Sequence, residues 1–286
     1  MLTLGPRSVA PGEFAVMAIV NRTPDSFYEP GRSADLRAAL EAVDRAADEG
    51  ADLVDVGGVR AGYGPAVDAA EELDRVLPVV SAVRERFPDL AISVDTWRAV
   101  VAERASAEGA NLINDTWAGA DPDLVGVAAA AGAGLVCSHT GGHGPRTDPH
   151  RVTYVDVVTD VVAAVTAAAQ NAVAAGVRPD GILIDPTHDF GKNTRHSLEL
   201  TRRLDELVAT DWPVLVALSR KDFIGETLDL PVDDRLEGTL AATAISAWHG
   251  ARVFRAHDVR ATRRVLDMVA SIRGSRPPAV ARRGLA

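Results

Sequence analysis

The sequence predicts one α/β domain, a closed eight-stranded parallel (β/α)8 TIM barrel, and three observations carry that expectation. Eight short runs rich in β-branched residues alternate with eight longer segments of helical period along 286 residues. The rival is a doubly wound open sheet, but no G-x-G-x-x-G follows the first run and no linker divides the chain. Polar residues also stand just after nearly every run. A closed barrel gathers such positions at one mouth, whereas an open sheet spreads them along an edge.

The strand runs are residues 15–20, 53–56, 91–94, 111–114, 134–137, 181–184, 213–218 and 252–255. A helical segment follows each. In the first, Leu36, Leu40, Val43 and Ala47 share one face, with Arg37, Glu41 and Asp44 off it. Ser33 is placed to cap its start and Gly50 to stop it. The others cover residues 69–87, 98–108, 123–131, 154–175, 195–209, 233–248 and 260–272. Alanine runs at 128–131 and 167–169 suit helices lying close to a barrel. Residues 1–274 read as a single domain, and 275–286, rich in Pro and Arg, as a solvated tail.

Composition narrows the function. Hydrophobic residues make up 47% and charged residues 24%, and mean hydropathy is +0.04, which excludes a mostly disordered chain. A formal charge of −10 argues against nucleic acid or an anionic membrane as partner. The single cysteine, Cys137, cannot form an intrachain disulfide. There is no signal-like N-terminus and no uninterrupted apolar run of about eighteen residues. A cytoplasmic protein is expected.

The strand ends carry an unusual polar set: Asn21, Asp95, Asn114–Asp115, His139, Asp185, Ser219–Arg220–Lys221, and Arg255 with His257–Asp258. One Asp there would read as a helix cap; seven strands of eight ending this way read as a binding site. Asp95, Asn114 and Asp185 suit the edge of a polar heterocycle. Lys221, Arg255 and His257 suit phosphate, and should form a local positive pocket. His139, His143, His150 and His188 are nearby zinc candidates, but glycines break any helical ligand spacing. Trp97 and Trp117 could stack on a ligand or pack against loops.

These residues lie in segments that resemble dihydropteroate synthase. The matches are MAIVNRTPDSF from Met17, ADLVDVGG from Ala51, ISVDT from Ile92 and GANLINDT from Gly109. ILIDP from Ile182, FGK from Phe190, SRK from Ser219 and RAHDV from Arg255 follow in family order. The pattern is most similar to the divergent second copy that some bacteria carry. The resemblance implies condensation of 6-hydroxymethyl-7,8-dihydropterin pyrophosphate with p-aminobenzoate, without a covalent nucleophile. It implies that Asp95, Asn114, Asp185 and Lys221 hold the pterin and that Asn21, Arg255 and His257 hold pyrophosphate. Mg2+ would sit near Asn21, Phe27 would cover the second substrate, and Lys221, Arg255 and His257 would serve catalysis. A homodimer through the late helices is implied too.

Departures cluster on the second-substrate side. Gly57–Gly64 reads GGVRAGYG, without the family's loop Thr, Arg and Pro, although Arg60 supplies a cation two positions earlier. Ser138 replaces a Met, Thr187 and Asp189 replace glycines, Ala217 replaces a Gly and Asp222 a small or basic residue. A carboxylate at 222 beside that of p-aminobenzoate would cost about 1–2 kcal/mol after solvent screening, unless it turns away to cap the following segment. Three readings stay open: an active synthase, a pterin- or anion-binding protein without synthase activity, and a pterin-dependent methyltransferase.

Overall fold

A computed structural model describes residues 1–21, 36–62, 64–147 and 152–284. Eight strands form the barrel wall: β3 (Ala15–Asn21), β4 (Leu53–Gly57), β5 (Ala91–Asp95), β6 (Leu112–Asp115), β7 (Gly134–Ser138), β8 (Ile182–Asp185), β9 (Leu215–Ala217) and β10 (Val253–Ala256). All pair in parallel in the order β8-β7-β6-β5-β4-β3-β10-β9. A parallel bridge between Ile184 and Val214, with Ile184 N–H donating to Pro213 O at 3.0 Å, closes the ring. The TIM barrel expected from the alternation is the fold.

Alternation along each strand separates two cores. Val54, Val56, Ile92, Val94, Ile113 and Ile184 face outward into the layer shared with the helices. Leu53, Ala91, Leu112, Val136, Leu183 and Val253 face inward and fill the barrel floor. Two residues further along five of these strands, the inward face turns polar. Leu53 is succeeded by Asp55, Ala91 by Ser93, Leu112 by Asn114, Leu183 by Asp185 and Val253 by Arg255.

A hairpin, β1 (Leu2–Leu4) with β2 (Arg7–Val9), stoppers the floor. Leu2, Leu4 and Val9 are fully buried in the inner core. The reading of the first residues missed it, although Leu2 and Leu4 alternate ahead of a Gly5–Pro6 turn. Gly5 takes φ +58°, and a Cβ there would collide with Asn111.

The helices are α1 (Leu36–Asp48), α2 (Ala69–Arg86), α3 (Ala99–Ala107), α4 (Leu124–Ala131), α5 (Val157–Ala174), α6 (Thr194–Arg202), α7 (Leu204–Val208), α8 (Asp222–Leu228), α9 (Leu236–His249) and α10 (Val259–Ile272). The segment expected as one helix at 195–209 is two, broken at Arg203, where φ −109° and ψ 30° leave helical geometry. The short α8 was not foreseen as a helix. By length and composition α5 could cross a membrane, but Val157, Val158, Val161, Val165, Ala169 and Ala172 pack into the outer core. Ser33, Phe27 and His150 lie outside the described residues.

Candidate functional site

The polar layer above the floor is organised by Asp55. Its fully buried carboxylate accepts from Ser93 Oγ at 2.5 Å, Asn114 Nδ2 at 3.0 Å and Arg255 Nε at 2.6 Å. Arg255 Nη2 continues to Asp95 Oδ2 at 2.9 Å, and Thr116 Oγ1 donates to Asp95 Oδ1 at 2.9 Å. Burial raises the pKa of Asp95, opposed by Arg255 and reinforced by Asp55. Burial also works against the Arg255 charge, but Asp55 and Asp95 outweigh it and raise its pKa overall. Asp55 lies within the ADLVDVGG segment, but sequence reasoning missed it as a site residue. The available signal was an acid two positions after Leu53 in an otherwise apolar strand.

Asp185 closes the layer from β8. Its Oδ1 accepts from Thr187 N at 2.7 Å, and burial raises its pKa against the pull of Lys221. The following turn places Thr187 at φ +53° and Asp189 at φ +71°. Both hold left-handed backbone at the positions where the family pattern has glycine. Lys192, also unread at first, knits this turn to β7 by donating to His139 O at 2.8 Å, Phe190 O at 2.9 Å and Thr187 O at 3.1 Å. Lys221 donates to His188 O, and its ammonium lies 4.8 Å from the Phe190 ring centre. Burial lowers the Lys221 pKa, with Asp189 and Asp185 restoring part of it.

The cations expected to form a positive pocket arrive already compensated. Arg255 is ion-paired with Asp55 and Asp95. Burial, then Arg255 and Arg220, lower His257 to a pKa of about 3, so its ring is neutral at physiological pH. Its Nδ1 lies 3.0 Å from Ser219 Oγ. Arg220 grips both oxygens of Asp258 at 3.1 and 3.2 Å. Asp222, on the first residue of α8, is 79% exposed and pairs with Arg235 at 2.7 Å. It caps no helix end, and its charge is paired with that of Arg235. Asn21 ends β3 with its Oδ1 above Gly57, 3.1 Å from where a Cβ would stand and beside Asp95.

The histidines diverge. His139 points out to Asp160, 2.8 Å away, and is lowered to about 4, chiefly by burial. His188 meets Thr201 at 3.1 Å and stacks on Phe223. Trp117 packs edge-on against Phe190 with ring centres 5.1 Å apart, and Arg98 covers Trp97.

The family described as pterin binding enzyme matches residues 17–257, where all these strand ends lie. The chain belongs to this family. It is 60% identical over 284 residues to the inactive dihydropteroate synthase 2 of Mycobacterium leprae (strain TN), covering 98% of each chain. It is 39% identical over 254 residues to the dihydropteroate synthase of Haemophilus influenzae, covering 88% of this chain and 92% of that one. The crystal structure of the Yersinia pestis dihydropteroate synthase with a sulfonamide drug complex superposes with TM-score 0.90 at 36% identity, covering 96% of this chain and 99% of that one. The fold is therefore a dihydropteroate synthase-like, pterin-binding TIM barrel.

Proposed function

We propose that this protein binds a pterin at the barrel mouth and condenses it with p-aminobenzoate weakly or not at all. One observation carries the pterin half: Asp95, Asn114 and Asp185 project inward from β5, β6 and β8 into one polar layer, Asn114 and Asp185 buried and Asp95 mostly so. A pterin edge offers N–H donors and a carbonyl acceptor. Two carboxylates take the donors, the Asn114 amide serves either kind, and Lys221 donates. Burial makes each such bond selective, because an unmatched partner stays desolvated.

The anionic end of the ligand would meet Asn21, Arg255 and neutral His257. For Mg2+ the residues fit a single protein ligand, the Asn21 amide oxygen, with water and phosphate oxygens completing the shell. Bound there, the ion would neutralise charge on departing pyrophosphate. Lys221, Arg255 and His257 are the groups able to stabilise that departure by hydrogen bonding. The second substrate lacks matching support, since residues 57–64 are without the family's loop Thr, Arg and Pro. The M. leprae relative is an inactive dihydropteroate synthase 2, which agrees with this half of the reading.

A homodimer through α9 and α10 fits the exposure of Ile245, Trp248, Met268 and Ile272 on these neighbouring helices. A cytoplasmic location fits a small-molecule ligand of this kind. The decisive experiment is calorimetry with 6-hydroxymethyl-7,8-dihydropterin pyrophosphate and Mg2+, followed by pyrophosphate release with p-aminobenzoate. Binding without release is expected. Release at rates typical of a synthase would establish the active-enzyme reading, and absence of binding would end the pterin one.

A further inference from the structure

The loop after β4 is tied down from the far side of β5 and β6. Arg146, in the loop between β7 and α5, donates from Nη1 to Pro65 O at 2.6 Å and from Nε to Gly62 O at 3.2 Å. Its third nitrogen rests against Gly64, where a Cβ would stand 2.9 Å from Nη2. Arg146 itself holds φ +61°, a backbone that costs a non-glycine residue and persists only where contacts over-determine it.

Sheet order gives this contact its meaning. β4 and β7 are separated by β5 and β6, so a contact between loops fed by the outer two bridges the width of the inner two. The ends of the inner two carry Asp95 and Asn114. The first loop is anchored near both its ends: Arg75 Nη1 donates to Gly58 O at 2.8 Å and Arg98 Nη2 to Val67 O at 2.6 Å. In the second, Thr140 Oγ1 donates to His143 O at 3.0 Å and Thr147 Oγ1 to Gly144 O at 2.7 Å, closing two local turns that flank and include Arg146. The Arg146 guanidinium joins the two spans. Its planar fork reaches two carbonyls at once, which a lysine ammonium on a flexible stem does poorly.

We infer that Arg146 is a positioning residue that fastens Gly62 and Pro65 of the loop after β4 to the loop after β7, so that the first loop retains a bound pterin instead of moving to enclose a second substrate. The inference rests on the pterin reading for its ligand, but the tie itself is testable without one. Hydrogen exchange of the full-length protein, followed over residues 58–65, reads the tie. Release of 6-hydroxymethylpterin by stopped flow reads its effect. Arg146→Ala removes the fork, and Gly64→Ala displaces it with a methyl group while leaving Arg146 in place. Both should speed exchange of the loop about tenfold and pterin release by about the same factor, with Arg146→Lys between them and wild type. Unchanged loop exchange in Arg146→Ala overturns the tie. Faster exchange with unchanged pterin release overturns its role in retention. If wild-type protein binds no pterin, the binding reading fails and the retention role with it, while loop exchange still decides the tie.

Discussion

On the β5–β6–β8 side of the mouth, the groups fitted to a pterin leave strands; on the side of the β4 and β8 loops, the residues that depart from the family pattern leave turns. Asp95 and Asn114 pair in register, and Asp55, Ser93 and Arg255 complete a layer in which Asp55 on β4 is bonded from β5, β6 and β10. Thr187, Asp189, Gly58, Gly62 and Pro65 are held instead by side-chain contacts to loops and helices. Strand positions are locked by register, because a one-residue shift would turn each side chain to the other face. Loop positions accept new residues so long as backbone geometry is met, as the positive φ values of Thr187 and Asp189 illustrate. Ligand recognition and second-substrate recognition can therefore diverge independently in one barrel.

The contrast is most severely tested at Asp55. Asp55→Ala leaves the buried Arg255 with Asp95 alone and strips acceptors from Ser93 and Asn114. Stability should fall by about 3–5 kcal/mol in urea titration. A loss below about 1 kcal/mol would show that the strand layer is not the rigid half.

Next in size is the ligand itself. Asp185→Ala should weaken pterin binding at least about tenfold by calorimetry, because a desolvated N–H loses its acceptor. Asp189→Gly, on the adjoining turn, should leave pterin affinity within about threefold. Equal losses in the two variants would erase the distinction between strand and turn.

The pH dependence sharpens it further. His257 stays neutral down to about 3 and His139 down to about 4, both below the ordinary histidine range. From pH 6.5 downward the unfolded chain binds protons that the folded chain refuses, so stability falls as pH falls. Asp115, raised to about 6 by burial, acts in the opposite sense between its unfolded pKa of 3.8 and that value. His257→Gln should therefore flatten the slope near pH 5 by about 1.4 kcal/mol per pH unit, one proton's worth. An unaltered slope in denaturation at pH 4.5, 5 and 5.5 would mean that His257 titrates normally.

The smallest effect belongs to the most exposed departure. Since Arg235 answers the Asp222 charge, Asp222→Ser should change affinity for p-aminobenzoate by less than about threefold. A tenfold gain would restore the repulsion argument.

The sequence alone determined the eight barrel strands, most of their helices and the polar residues at seven strand ends, because period, turn residues and motif spacing are local. It also carried the family, since the motifs run in order along the chain. What it left unread is what needed closure. Asp55 and Arg255 are 200 residues apart and meet only because β3 lies between β4 and β10. The Leu2–Val9 hairpin has no evident task until the barrel exposes an apolar floor for it to cover. Lys192, Arg146 and Arg235 look like ordinary surface cations in sequence, and their partners are set by which loops the folded barrel brings together. The charge at the mouth was likewise a tertiary outcome. Three expected cations became a compensated guanidinium, a buried lysine and a neutral imidazole, because removing charge from water requires a partner or the loss of the proton.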